Sequence, residues 1–129
     1  MAAVASLALA ALFAAAPASG ASRGARERAA AARTACLSGE YAKGVKILSE
    51  LFVQTKDPTH IFNQGRCFEQ NSRYQDAIAR FQEYLRVAKG LSEQYKADTQ
   101  KHIDDCQSLL AKEMEGSSNG GPAGTQACN

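Results

Sequence analysis

Apolar side chains recur at helical spacing through the middle of the chain. Ile61, Gly65 and Phe68 follow one another at intervals of four and three residues, and Asn71 then interrupts the pattern. A second stripe consists of Tyr74, Ala77, Ile78, Phe81, Tyr84, Leu85 and Ala88. Intervals of three and four residues keep side chains on one face of an α-helix. The pattern therefore predicts two amphipathic helices, joined by a tight turn, between residues 57 and 90.

The residues at both ends of this helical hairpin favour the same structure. Asp57 is a preferred N-cap residue, and Pro58 fits the first helical position, where a missing backbone N–H costs nothing. Gly90 is typical of the residue that ends a helix, because glycine adopts a positive φ without strain. We therefore expect the hairpin to begin at Asp57 and to end at Gly90.

The same pattern occurs a second time, 33 residues earlier. Residues 39–52 align with residues 72–85, so that Tyr41 corresponds to Tyr74. The other matched pairs are Val45 with Ile78, Leu48 with Phe81, Leu51 with Tyr84 and Phe52 with Leu85. A period of about 33 or 34 residues with one helix pair per unit is typical of helical repeat proteins. We therefore predict two successive helical hairpins.

This repeat resembles the tetratricopeptide repeat (TPR) family. The residues at the family's positions are Ile61, Gly65, Phe68, Tyr74, Ala77 and Phe81 in the second unit, and Gly39, Tyr41 and Leu48 in the first. The sequence departs from the family pattern at five positions. Gln64 replaces Leu, Ser72 replaces the turn Gly, and Gly44 replaces the Ala at which two helices touch. The late Pro is also displaced, because Pro58 comes about two residues late for the first unit and Lys89 stands at its place in the second. Over residues 24–114 the resemblance implies an all-α fold: two TPR-like helical hairpins plus a long C-terminal capping helix, arranged as a short right-handed α-solenoid.

The predicted TPR-like helical domain covers residues 22–115. Residues 22–38 favour a leading helix because alanine and arginine are strong helix formers, and residues 40–54 favour its partner. The apolar side of that leading helix consists of Ala31, Ala32, Ala35 and Cys36. The stripe of the capping helix consists of Leu91, Tyr95, Thr99, His102, Ile103, Cys106, Leu109 and Leu110. Residues 116–129 are uncharged and rich in Gly, Ser and Asn, which predicts a disordered tail or a linker stub.

The N-terminal residues 1–21 carry no charge and contain an apolar run that small residues follow. The run is shorter than the roughly 20 residues that a bilayer span needs. It is typical of a secretory signal with its cleavage region. We therefore expect an exported protein of the periplasm or cell envelope, with no membrane span after signal removal. The alternative is an uncleaved, Ala-rich N-terminus.

The charge distribution does not indicate binding to nucleic acid or to an anionic membrane surface. Fifteen basic and 13 acidic residues give a net charge of +2, and the two signs are interspersed along the helices. Motifs for catalysis, phosphate binding and thiol redox chemistry are absent, so we expect neither an enzyme nor a cofactor. His102 and Cys106 have a spacing that can hold a metal, but both belong to the apolar stripe, so no metal site is predicted.

Four cysteines, at positions 36, 67, 106 and 128, indicate disulfide bonding if the protein is exported. The residue pattern leaves three pairings open. The TPR resemblance implies that Cys36, Cys67 and Cys106 lie on neighbouring helices, so that a Cys36–Cys67 or a Cys67–Cys106 disulfide is feasible. Such a bond would contribute on the order of 2–4 kcal/mol. The alternative is three separate buried thiols.

The resemblance also implies a function, because leading helices in TPR stacks line a concave face that takes an extended peptide or a partner helix. The corresponding candidate partner-binding residues are Thr59, Phe62, Asn63, Arg66, Glu69 and Gln70, with Lys96 and Gln100 on the capping helix. Phe62 lies off the apolar stripe, and so large an aromatic side chain is expected to be covered by a partner. Arg66 can bind a carboxylate. Alternatively, Phe62 packs against the second helix of the first unit, and Arg66 pairs with Glu69 or Glu40.

These observations predict a non-catalytic, exported, TPR-like scaffold that binds a peptide or protein partner through its concave face. The alternative is a structural module for dimerisation or assembly of a larger cell-envelope protein. A short stack of repeats can cover its open end with a second copy, which would make a homo-oligomer.

Overall fold

The computed structural model describes residues 19–118, which form five α-helices and contain no strand. The helices are α1 (Ser19–Leu37), α2 (Tyr41–Thr55), α3 (Thr59–Gln70), α4 (Tyr74–Val87) and α5 (Glu93–Ser118). Each helix packs against the next along the chain, and α1 also contacts α3. The predicted all-α fold is confirmed. We call α1 with α2 hairpin one, and α3 with α4 hairpin two.

The ends of the helical domain differ slightly from the predicted ones. Helix α1 already begins at Ser19, and α5 continues to Ser118, beyond the predicted boundary at residue 115. The signal-like segment up to residue 18 and the tail from residue 119 lie outside the described residues, as does Cys128.

The two hairpins turn at equivalent residues. Gly39 has φ 88° and Ser72 has φ 56°, and the second helix of each hairpin begins two residues later, at Tyr41 and at Tyr74. A left-handed conformation is strained for a residue with a Cβ, so that Ser72 occupies a position that favours glycine. The 33-residue correspondence therefore holds in the backbone as well as in the sequence.

Hydrogen bonds at the start of α3 agree with the predicted capping role of Asp57. The Asp57 carboxylate accepts a bond of 2.9 Å from the backbone N–H of Thr59, and Pro58 has a helical φ of −64°. Burial works to raise the pKa of Asp57, but the hydrogen bonds from the backbone and side chain of Thr59, together with the nearby His60, outweigh it and hold the pKa below its usual value. Asp57 is therefore an anion that caps α3 at neutral pH.

A cluster of buried apolar side chains lies in hairpin two and α5, and Leu48 and Leu51 of hairpin one are buried as well. Its centre is formed by Ala77, Phe81, Ile103 and Cys106, and the partly buried residues around it are Phe62, Phe68, Tyr74, Ile78 and Leu85. Two residues of the predicted α5 stripe are outside it, because the side chain of Tyr95 is 64% exposed and that of Leu109 is 38% exposed. Helix α5 has 26 residues and α4 only 14, so that much of α5 extends past the helix on which it packs.

A disulfide joins the two hairpins. Cys36 of α1 is bonded to Cys67 of α3, with their Cα atoms 5.1 Å apart, while Cys106 carries a buried thiol. A Cβ on Gly44 would collide with the sulfur of Cys36 and would lie 2.9 Å from the carbonyl oxygen of Ala32. The disulfide and the backbone of Ala32 therefore leave no room for a side chain at position 44.

Asn71 makes a second link between the hairpins. Its side-chain amide donates to the carbonyl oxygen of Cys36 at 3.0 Å and to that of Cys67 at 2.8 Å. These carbonyls are near the ends of α1 and α3, where helices leave acceptors without an intrahelical partner. Asn71 thus ties the C-terminal ends of both helices together beside the disulfide.

Candidate partner-binding face

Two grooves lie side by side on the face that α1, α3 and α5 form. Groove one, between α1 and α3, has a volume of about 320 Å³ and is lined by Ala29, Arg33, Cys36, Leu37, Leu48, Phe62, Asn63, Arg66, Cys67 and Gln70. Groove two, between α3 and α5, has a volume of about 820 Å³ and is lined by Thr59, Phe62, Asn63, Tyr84, Gly90, Leu91, Ser92, Tyr95, Asp98, Thr99, Lys101 and His102. Phe62 and Asn63 line both grooves and form the ridge between them.

Phe62 is fixed by three rings of the neighbouring helices. The centroid of its ring lies 5.4 Å from that of Phe81, 5.3 Å from that of Tyr84 and 5.7 Å from that of His102. Rings at these distances attract one another beyond the burial of their area. The ring of Phe62 therefore packs against α4 and α5 inside the domain, whereas the alternative interpretation of the sequence placed it against the second helix of the first unit.

Asn63 lies on the same ridge, and its side-chain amide is available for hydrogen bonding. Its amide makes no hydrogen bond to any other residue in the range 19–118, although the residue is half-buried. A carboxamide has two N–H donors and one carbonyl acceptor. Asn63 can therefore bond to both an acceptor and a donor of a chain that crosses the ridge.

Arg66 is held by a polar cluster that joins α3 to α5. Its Nη1 lies 2.5 Å from a carboxylate oxygen of Glu69 and 3.1 Å from Nδ1 of His102. The same Nδ1 lies 3.0 Å from the other oxygen of Glu69. One ring nitrogen either donates to the carboxylate or accepts from the guanidinium, so the two contacts compete for it. The predicted Arg66–Glu69 ion pair is thus present, with His102 as a third member.

Cys106 lies beneath this cluster and is unsuited to nucleophilic chemistry. Its sulfur is 3.9 Å from the Glu69 carboxylate and has no exposed surface. Burial, followed by the charge of Glu69, raises the pKa of the Cys106 thiol to about 11. Because the thiolate is the nucleophilic form, the thiol beside Glu69 is unreactive at neutral pH.

Groove one is basic. Its lining contains the guanidinium groups of Arg33 and Arg66 and no carboxylate. Arg66 is neutralised by Glu69, whereas Arg33 is exposed and forms no ion pair with another residue of the described chain. Groove one therefore presents one uncompensated positive charge to anything that lies in it.

The structure brings together most of the predicted partner-binding residues and separates two of them. Phe62, Asn63, Arg66 and Gln70 line groove one, Thr59 lines groove two, and Glu69 holds Arg66. Lys96 and Gln100 lie elsewhere, in a depression of about 640 Å³ between the end of α4 and α5. These two residues therefore do not extend the surface around Asn63.

Sequence reasoning missed several residues of this face. Arg33 was passed over because the α1 segment looks generic, although it precedes Cys36 by one helical turn. Tyr84 and Tyr95 were assigned to core stripes, yet both reach groove two. Their positions depend on how α4 and α5 pack against each other at the loop around Gly90. No local pattern in the sequence predicts this packing.

Comparison of the chain with protein-family models, with curated proteins and with solved structures finds no match. Within residues 19–118, no group of three or more His, Cys, Asp or Glu side chains is arranged to hold a metal ion. No helix in the same range combines the length and apolar character required to cross a bilayer. The geometry of the two grooves is therefore the basis for assigning a function.

Proposed function

We propose that this chain is a non-catalytic, TPR-like scaffold that binds an extended segment of a partner protein across the face formed by α1, α3 and α5. The observation that carries the proposal is the pair of adjacent grooves that share Phe62 and Asn63. A rigid face with two contiguous grooves can bind one extended peptide along its length. The ridge residue Asn63 can form hydrogen bonds with the peptide backbone.

The rigidity of this face supports the proposal. The disulfide fixes α1 against α3, and the contact of His102 with the Arg66–Glu69 ion pair fixes α3 against α5. A preformed site saves the entropy that ordering a flexible surface would cost on binding. Within the described residues, the side chains of Asn63 and Arg33 have no hydrogen-bonded or ionic partner, and both line groove one.

Photocrosslinking in the native compartment tests this proposal. A photoreactive amino acid replaces Gln70 in groove one, and a matched variant carries it at Gln75, which is also an exposed glutamine but lies on α4 outside both grooves. We expect a discrete partner adduct from position 70 only, and its loss when Asn63→Ala is added. Identical adducts from both positions would contradict the assignment of this face.

Export of the protein is part of the same proposal. The uncharged N-terminal segment and the Cys36–Cys67 disulfide both favour a compartment outside the cytosol, because disulfides persist under oxidising conditions. Cell fractionation combined with alkylation of free thiols tests it. We expect the protein outside the cytosol with Cys36 and Cys67 protected from alkylation, whereas a cytosolic protein with both thiols alkylated would refute export.

Self-association is the second candidate function, and one feature of α5 favours it. Beyond Cys106 this helix exposes apolar side chains, with Leu109 38% and Met114 67% exposed. Light scattering of the purified chain distinguishes the two functions. A dimer that Leu109→Ser with Met114→Ser converts to a monomer would support an assembly module, and a monomer at all concentrations would remove it.

A further inference from the structure

Groove two is lined by aromatic rings at one end. Tyr84 is buried to all but 8% of its surface, with its ring centroid 5.3 Å from that of Phe62. Its hydroxyl makes no hydrogen bond to another residue between 19 and 118. Tyr95, with 64% of its surface exposed, stands at the rim of the same groove. The exposed ring of Tyr95 is therefore accessible to a ligand in the groove that Tyr84 also lines.

The carboxylates near these rings are not neutralised. Asp98 lines the groove and accepts one hydrogen bond of 2.7 Å from the side chain of Gln94, and Asp57 lies at the start of α3 nearby. Neither forms a salt bridge within the described part of the chain. Burial first, and then the nearby Tyr95 and Asp57, raise the pKa of the Tyr84 phenol, which indicates that its surroundings disfavour another negative charge.

The basic side chains that line the groove already have partners. The ammonium of Lys101 lies 2.6 Å from the carboxylate of Asp105, and His102 contacts Glu69. Two helix N-termini, which favour anions, also point to this end, but Asp57 caps α3 and Glu93 lies in the first turn of α5. The uncompensated charge of groove two is therefore negative, opposite to that of groove one.

We propose that groove two binds a cationic side chain, a lysine or arginine of the extended partner, with its charge against the rings of Tyr84 and Tyr95 and beside Asp98. A cation is attracted to an aromatic face and, independently, to a carboxylate. Both attractions favour the same ligand. This inference rests on the proposed function and adds the polarity of the partner: a basic residue in groove two and an acidic or neutral one in groove one.

Titrations followed by nuclear magnetic resonance test the proposal on the whole chain. The probes are N-acetyl-lysine methylamide, its neutral analogue N-acetyl-norleucine methylamide, and N-acetyl-glutamate methylamide. We expect the lysine probe to shift the amide resonances of Tyr95, Asp98 and Thr99, with an affinity at least about fivefold higher than that of the norleucine probe and weakened by salt. The glutamate probe should leave groove two unchanged.

Variants of exposed residues make the assignment specific. Tyr95→Ala and Asp98→Asn should each weaken the lysine probe about three- to fivefold. Asp104→Asn, an exposed aspartate of α5 that does not line groove two, is the matched control and should leave the affinity unchanged. Equal binding of the lysine and norleucine probes, a preference for glutamate, or shifts confined to another surface would each overturn the inference.

This experiment separates the inference from the function on which it rests. A partner adduct at position 70 without selective lysine binding in groove two would refute the cationic ligand and leave the peptide-binding function standing. Selective lysine binding without an adduct at position 70 would refute the partner-binding function and leave the cation site standing.

Discussion

The two hairpins have the same turn but are held together differently. In hairpin two the ring of Phe81 is fully buried between α3, α4 and α5, whereas the equivalent residue of hairpin one is the smaller Leu48. Helix α1 buries only Ala32, Ala35 and Cys36. Stabilisation by burial scales with apolar area, so hairpin one gains less from its own packing. We therefore expect hairpin one to depend more than hairpin two on its covalent link.

A glycine and an alanine exchange places between the hairpins. Ala32 and Gly44 in hairpin one correspond to Gly65 and Ala77 in hairpin two. A Cβ on Gly65 would lie 2.6 Å from the ring of Phe81, and one on Gly44 would collide with the disulfide. Each hairpin thus has its glycine next to its bulkiest neighbour, which is a phenyl ring in one and a pair of sulfur atoms in the other. The same backbone arrangement is reached by two complementary packings.

Removal of the disulfide should give the largest effect on stability. Cys36→Ala with Cys67→Ala opens a loop with a sequence separation of 31 residues, which is expected to cost about 3–4 kcal/mol of unfolding free energy. Urea denaturation measures the loss. Reduced wild-type protein is the control and should have the same stability as the double variant. A double variant as stable as the oxidised wild-type protein would show that hairpin one does not depend on the disulfide.

Gly65→Ala should have the next largest effect, because its methyl group would enter the ring of Phe81. The expected cost is about 1–3 kcal/mol, since overpacking forces a core side chain or the backbone to move. Thermal and urea unfolding measure it.

A double-mutant cycle tests the stated cause of this cost. Phe81→Leu reproduces the pairing that hairpin one uses with Leu48, so Gly65→Ala should cost about 1 kcal/mol less in that background than in the wild type. Strictly additive effects would show that the contact with Phe81 is not the reason for Gly65.

The thiol of Cys106 should make the core of hairpin two and α5 sensitive to alkaline pH. The ordinary pKa of 9.0 applies in the unfolded chain and a raised value of about 11 in the folded protein. The folded protein therefore holds the proton more tightly, and its stability is unaffected below pH 9 and decreases as pH rises toward 11. We expect a decrease on the order of 1–2 kcal/mol over this window.

The comparison with Cys106→Ala isolates this contribution, because tyrosines and lysines titrate in the same range. Unfolding free energies of both proteins are measured at several pH values from 8 to about 11. The difference between the two should shrink as pH rises. A constant difference would show that the thiol loses its proton equally easily in both states.

The turn residues should give the smallest effect, with opposite signs in the two hairpins. Ser72→Gly removes the strain of a Cβ at φ 56° and should stabilise the protein by about 0.5–1 kcal/mol, while Gly39→Ser introduces that strain and should destabilise it by a similar amount. Thermal denaturation measures both. A destabilising Ser72→Gly would indicate that the contact between the hydroxyls of Tyr74 and Ser72, at 3.3 Å, outweighs the strain.

The elements that local patterns encode were predicted from the sequence. The stripe of α4, the Asp57 cap and the position of the turns depend on residues within one or two helical turns of each other, so that periodicity and capping preferences suffice. The all-α fold follows from them. Ser72 was singled out in the sequence as a departure from the TPR pattern, and its positive φ of 56° shows that glycine would adopt this turn without strain.

The features that were missed or misplaced depend on how separate helices meet. The sequence left the disulfide pairing open, because the choice between Cys36 and Cys106 as the partner of Cys67 is made by the angle of α1 and α5 to α3. Phe62 lies off the stripe of α3 and yet contacts rings of α4 and α5. Lys96 and Gln100 share a helix with His102 but face a different groove.

Hydrogen exchange with and without the disulfide tests most directly the claim that hairpin one is fixed, and groove one formed, by its link to hairpin two. The account predicts that reduction strips protection from the amides of α1 and α2 at reductant concentrations and temperatures where α3, α4 and α5 remain protected. The resonances around Gln70 should lose their dispersion together with those of α1. Equal protection of both hairpins after reduction, or a simultaneous loss in all five helices, would contradict it.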